Sequence, residues 1–146
     1  MAKPDFKFAW PFRVRYAEVD GQSIVFNAHY LTYYDTAITE YFRALPYDYR
    51  GQVARTGEDF HTVRTLVEYS QPIAFDEDIE VCVRTSRLGR SSLTFLLEIH
   101  PQGREDLRAT GEVVWVNTDQ ATHKSATVPA ELVDKISALE GDKLER

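Results

Sequence analysis

The chain holds a single cysteine, Cys82, in 146 residues, so no disulfide can close within it. Cys82 sits in an alternating stretch and reads as a small packing residue, not a nucleophile. No apolar run approaches the ~20 residues that span a bilayer, and Met1 to Phe12 lacks the apolar centre of a signal peptide. The expectation is therefore a cytoplasmic protein with no membrane insertion. Positive charge is short: 17 Lys and Arg stand against 23 Asp and Glu, a net charge of −6, which speaks against nucleic acid as a partner. The four histidines, His29, His61, His100 and His123, are scattered without metal-ligand spacing, so no metal site is expected. No internal repeat, low-complexity tract or composition shift divides the chain. A single domain over residues 1–146 is the simplest organisation; it can bury a reasonable core, which an oligomer would extend.

What the chain does have is aromatic side chains gathered into one stretch. In Phe12 to Tyr16, the apolar Phe12, Val14 and Tyr16 alternate with Arg13 and Arg15, the pattern of a half-buried strand. Glu18, Asp20, Gly21, Gln22 and Ser23 then interrupt it with turn-forming types. From Ala28 the period becomes helical: Tyr30, Tyr34, Ala37, Ile38, Tyr41 and Leu45 share one face, and Pro46 ends the run. A helix from Ala28 to Leu45 is about 27 Å long. Tyr30, Tyr33 and Tyr34 read as core or pocket wall, because their spacing is that of a packed stripe.

Asp20 and Asn27 flank the start of this helix. The first N–H groups of a helix lack internal partners and carry partial positive charge, so a carbonyl oxygen placed there is polarised. A carboxylate on the preceding loop can serve beside it as a nucleophile or base. An Asp in such a loop is also an ordinary turn or cap residue, and these residues alone leave both readings open. Glu18 reads as a loop cap or salt-bridge partner, and His29 as a first-turn residue near the candidate site.

The remainder reads as strands. Met1 to Ala9 is a mixed, charged start, loose at its tip, and Trp10 and Phe12 open the first strand. Gln52 to Arg55 fits a helical turn between Gly51 and Gly57. Strands follow over His61 to Gln71, from Ile79 to Val83, from Leu93 to Ile99, and over Leu107 to Asn117. They are separated by Phe75 to Asp78, the hairpin at Leu88-Gly89-Arg90, and Pro101-Gln102-Gly103. Pro129 to Leu139 fits a short helix ending before Gly141, and Glu140 to Arg146 a polar tail. Arg64 is expected to pair with a carboxylate on the sheet face. One strand and a long helix, followed by four antiparallel strands, make an α+β protein.

The run from Tyr16 to Tyr30, YAEVDGQSIVFNAHY, resembles the signature of hotdog-fold acyl-CoA thioesterases. The similar branch holds hydroxybenzoyl-CoA thioesterase and the short acyl-CoA thioesterases associated with Tol–Pal proteins. The resemblance is strong over residues 14–45 and one of pattern from there to Val116. It implies an antiparallel sheet wrapped around one long helix, and a hydrolase that cleaves a CoA thioester to free acid and CoA. Asp20 falls on the family's catalytic Asp, and Asn27 on the position whose backbone N–H faces the thioester oxygen. Two departures stand out: Ser23 where the family often has Gly, and Asn27 where many members have His or Tyr. Gln22, Ser23, His29 and Tyr30 are candidate substrate contacts, with loop structure, the first helical turn and the packed stripe as the plain accounts of them; the resemblance further implies phosphate contacts from the basic hairpin residues Arg87 and Arg90, with Ser91 beside them. It implies no resident cofactor, coenzyme A being part of the substrate, and a homodimer or homotetramer with active sites at the interface. A non-catalytic acyl-CoA binder and an acyl-carrier-protein thioesterase are the alternatives. The His-based dehydratase motif of other hotdog branches is missing.

Overall fold

A computed structural model describes residues 3–146; the predicted loose tip at Met1 and Ala2 lies outside them. The elements run β1 (Phe8–Arg13), α1 (His29–Ala44), α2 (Gln52–Thr56), β2 (Glu58–Tyr69), β3 (Asp78–Leu88), β4 (Ser92–Pro101), β5 (Ala109–Asp119) and α3 (Ala130–Glu140). The strands form one five-stranded sheet in the order β1-β3-β4-β5-β2. By contact density the chain divides into two compact units, Met1–Tyr41 with Val67–Val83 and Leu97–Gly111, and Phe42–Leu66 with Arg84–Leu96 and Glu112–Arg146.

In the first unit the strand expected at Phe12 to Tyr16 lies earlier. Phe8, Trp10 and Phe12 are the half-buried positions, and Tyr16 belongs to a 3-10 turn and is 80% exposed. Pro11 explains the placement: β1 is an edge strand, where a missing N–H costs no ladder bond. It pairs antiparallel with β3, Phe8 opposite Val83 and Phe12 opposite Ile79. The aromatic stripe of α1 is buried as predicted at Tyr30, Tyr34, Ala37, Ile38 and Tyr41, and Tyr33 joins it, while Leu31 remains exposed. Gly111 of β5 lies under Tyr34: a Cβ there would come within 2.3 Å of the ring, so the small residue sets the close approach. Ile79, Val81, Leu97 and Ile99 complete this interior.

The opposite face of β3 and β4 is buried too, contrary to simple alternation. Cys82, Glu98 and His100 are all buried there. His100 Nε2 lies 2.9 Å from Glu98 Oε1, and His100 Nδ1 accepts the Asp106 N–H at 3.0 Å. Burial, with the Glu80 carboxylate second, pushes the Cys82 thiol up to about 12, so it stays an unreactive packing group. Lys3 pairs with Glu80 and donates to the Arg104 carbonyl at 2.8 Å, so the start of the described chain is tied down.

In the second unit Phe42 stacks on Tyr49 and Trp115 and meets Phe95 edge-on. A polar network lies within it: Tyr47 donates to Gln52, Gln52 to Asn117, and Asn117 to Glu58. Arg64 meets Glu112 at 2.6 Å, as the sheet-face reading expected. The tail is not loose. Thr85 N–H donates to the buried Glu140 carboxylate at 2.9 Å, Arg84 to the Lys143 carbonyl, and Leu88 N–H to the Glu145 carbonyl. Alternation alone gave no sign of this, because the tail docks through the Glu140 carboxylate and its own main-chain carbonyls. Other strand bounds moved as well: β2 spans Glu58–Tyr69 instead of His61 to Gln71, β3 runs on to Leu88 past Val83, and β5 spans Ala109–Asp119 instead of Leu107 to Asn117.

Candidate active site

The loop before α1 is built by its own hydrogen bonds. Glu18, 5% exposed, accepts from the Arg15 N–H, the Arg15 guanidinium and the Tyr33 hydroxyl, the last at 2.9 Å. Burial pushes its carboxyl up, but the bonds from Arg15 and Tyr33 outweigh that and hold it below its ordinary value. Glu18 is thus the cap and ion-pair partner that the sequence suggested. Its carbonyl accepts the Phe26 N–H, which closes the loop.

Asp20, two residues on, is held differently. Its N–H donates to the Ile24 carbonyl, its carbonyl accepts from Ser23, and its Oδ1 accepts the Gln22 N–H at 2.7 Å. The side chain therefore caps its own turn through one oxygen. No donor reaches Oδ2 among the described residues. Ser23 adopts φ 61°, the left-handed region that favours glycine. The expected family glycine at this position has a conformational reason.

At the start of α1, His29 N–H donates to the Phe26 carbonyl and Tyr30 N–H to the Asn27 carbonyl. The N–H groups of Asn27 and Ala28 meet no acceptor among the described residues. They are the open donors expected at a helix start.

Asp20, Asn27 and Tyr30 line one cavity of about 380 Å³ with Ile24, Val25 and Phe26. The other wall is Tyr69, Ser70, Gln71 and Pro72, which the sequence reading missed. That wall is clamped. The Ser70 and Gln71 N–H groups donate to the Arg108 carbonyl, and Gln71 donates to Asp106 at 2.8 Å. Arg108 bonds the Pro72 carbonyl at 3.1 Å and Glu77 at 2.9 Å. The Gln71 bond, with the Arg108 and Arg104 charges, holds the Asp106 carboxyl below its ordinary value. Burial raises the Tyr30 hydroxyl. The only available signal for this wall was an aromatic residue ending a strand just before Pro72.

Other predicted residues lie elsewhere. Gln22 contributes its amide to the Asp20 turn, and Ser23 its carbonyl to Phe75; both side chains are exposed and neither lines the cavity. His29 packs edge-on to Phe26, outside the lining. Arg87, Arg90 and Ser91 belong to the second unit. There Arg90 donates to Thr127 and Ser125, the Ser91 carbonyl accepts the Asn117 N–H at 2.7 Å, and the Arg87 side chain is exposed. Among the described residues no three His, Cys, Asp or Glu side chains gather as a metal set, and no helix is long and apolar enough to cross a membrane.

The profile of the thioesterase-like superfamily matches residues 14–136. The chain is 28% identical over 126 residues to the acyl-CoA thioester hydrolase YbgC of Escherichia coli, covering 86% of this chain and 92% of that one. A Thermus thermophilus thioesterase crystallised with coenzyme A and Zn is 30% identical, with TM-score 0.78, over 94% of this chain and 96% of that one. The PA5185 protein of Pseudomonas aeruginosa is 26% identical, with TM-score 0.84, over 97% and 96%. The fold is the hotdog fold, as expected.

Proposed function

The chain belongs to the thioesterase-like superfamily and is a thioester hydrolase, and from that premise we propose that it cleaves an acyl-CoA to free acid and CoA at the Asp20–Asn27 cavity. The observation that carries this reading is the meeting of an acidic side chain and open helix-start amides in one cavity.

The thioester carbonyl oxygen sits against the Asn27 N–H, with the Ala28 N–H beside it. As the carbonyl carbon becomes tetrahedral, those donors stabilise the negative oxygen, an effect worth about 3 kcal/mol per donor. Asp20 acts in one of two ways. As a nucleophile, its free oxygen attacks the carbonyl carbon, CoA leaves as thiolate, and water cleaves the resulting mixed anhydride. As a general base, it takes a proton from water, whose oxygen attacks the same carbon; the C–S bond then breaks, and CoA leaves as thiolate, which takes up the proton from Asp20. A carboxylate is a weak base, and its fixed position offsets part of that deficit. Tyr30 forms wall. Gln22, Ser23 and His29 frame the entrance, and Arg87, Arg90 and Ser91 meet the nucleotide phosphates. The active unit is a homodimer or homotetramer with sites completed at the interface. The exposed Val63 and Leu66 of β2, an edge strand, support that assembly. The step needs no resident cofactor.

The test is release of free thiol from acetyl-, hexanoyl-, palmitoyl- and benzoyl-CoA by the wild-type protein and by Asp20→Asn. The variant is expected to lose at least about a hundredfold in kcat at unchanged melting temperature. Wild-type turnover by the variant refutes the assignment. In a single turnover in ¹⁸O-water, label in the Asp20 carboxylate marks the nucleophile, with water attacking the Asp20 side of the anhydride.

A further inference from the structure

We propose that Tyr69 is the specificity-determining residue of this site: its ring is the wall on which the acyl group packs, next to the reacting carbonyl. The inference rests on the hydrolase reading above.

Tyr69 lines the same cavity as Asp20 and Asn27. Its hydroxyl faces the Asn27 carbonyl at 3.5 Å. That carbonyl belongs to the same peptide unit as the Ala28 N–H, so the ring lies within one peptide of the donors assigned to the thioester oxygen. The ring and Asn27 line one cavity, so an acyl group extending from the thioester carbon has this ring available as a wall.

The Tyr30–Tyr69 pair divides the work. The rings meet edge to face, centroids 4.8 Å apart at 82°. Tyr30 is 3% exposed and fixed in the core, whereas Tyr69 is 55% exposed. An aromatic face left open on a cavity wall is area that a ligand can cover. The bond to the Asn27 carbonyl is at the long limit, so it holds the side chain loosely. The backbone behind it is firm: Tyr69 is the last residue of β2, and Arg108 clamps the residues that follow. The side chain can thus adjust to its guest without the wall moving.

The lining identifies which end of the thioester it meets. Asp20 is its only charged residue, and it is negative; Ile24, Val25, Phe26, Tyr30 and Pro72 are carbon-rich. Nucleotide phosphates are repelled there, whereas a neutral acyl chain or aryl ring is accepted.

The experiment compares kcat/KM of the intact protein, Tyr69→Phe and Tyr69→Ala on acetyl-, hexanoyl- and benzoyl-CoA. Equilibrium binding of CoA and of the non-hydrolysable S-hexyl- and S-benzyl-CoA is measured alongside. Tyr69→Ala is expected to lower kcat/KM for hexanoyl- and benzoyl-CoA about tenfold, to change acetyl-CoA less than about twofold, and to weaken the two thioethers but not CoA. Tyr69→Phe keeps the ring and stays within about twofold throughout. An equal loss on all three esters, or none, overturns the proposal, as does equal thioether binding by wild type and Tyr69→Ala. Absence of turnover in the wild type refutes the hydrolase reading separately, because the binding arm needs no turnover.

Discussion

Asn117 and Asn27 are the same residue type put to opposite ends. Asn117 is fully buried; its amide donates to Glu58 and the Thr127 carbonyl, accepts from Gln52, and its N–H reaches Ser91. Every polar group has a partner, which is the condition for stabilising an interior. Asn27 is exposed, and its N–H is left open at the head of α1. Glu18 and Asp20 repeat the contrast on one loop: the first carboxylate is saturated by Arg15 and Tyr33, the second is engaged at one oxygen only. At these four positions the saturated polar groups hold the fold, and the incompletely used ones face the cavity.

The contrast breaks most sharply at Asp20, where Asn removes activity and leaves melting unchanged. Next, Asn117→Ala should cost about 2–3 kcal/mol, because the Gln52 amide, the Glu58 carboxylate and the Thr127 carbonyl each lose a bond; urea unfolding reads the loss, with activity per folded molecule preserved. Glu18 comes third. Its folded carboxyl titrates below the ordinary 4.5, so the unfolded chain binds that proton more readily. Stability is full above that pH and falls as pH drops below it; Glu18→Gln should flatten this acid limb in melts taken between pH 5 and 3. Ser23→Gly relieves a left-handed backbone and should stabilise by about 0.5 kcal/mol in the same unfolding measurement. Asn27→Ala sits at the small end: because the proposed donor is the main-chain N–H, kcat should fall less than about threefold.

Much of the fold was legible. The stripe from Tyr30 to Tyr41 has helical period, and Ile79, Val81, Leu93, Phe95, Leu97 and Ile99 alternate, so the burial pattern followed from spacing. The first strand was misplaced because Tyr16 continues the alternation of Phe12 and Val14, while Pro11, a sign of an edge, extends β1 backwards. The buried Glu98–His100 pair and the docked tail were hidden for a common reason. Strand alternation places Glu98 and His100 on the outer face, and the tail is held by hydrogen bonds to β3; local periodicity encodes neither. At the cavity, the motif pointed to Asp20, Asn27 and Tyr30, which are close in sequence. Tyr69 to Pro72 reach it only through sheet pairing and the Arg108 clamp, contacts far apart along the chain.

The Gln22 main-chain N–H has a stereochemical consequence for the Asp20 carboxylate. With Oδ1 tethered, rotation about the Cβ–Cγ bond is arrested, and one oxygen edge alone is presented to an incoming carbon or water. The angle of approach is then written into the main chain of a four-residue bend, ahead of any contact with the substrate's tail.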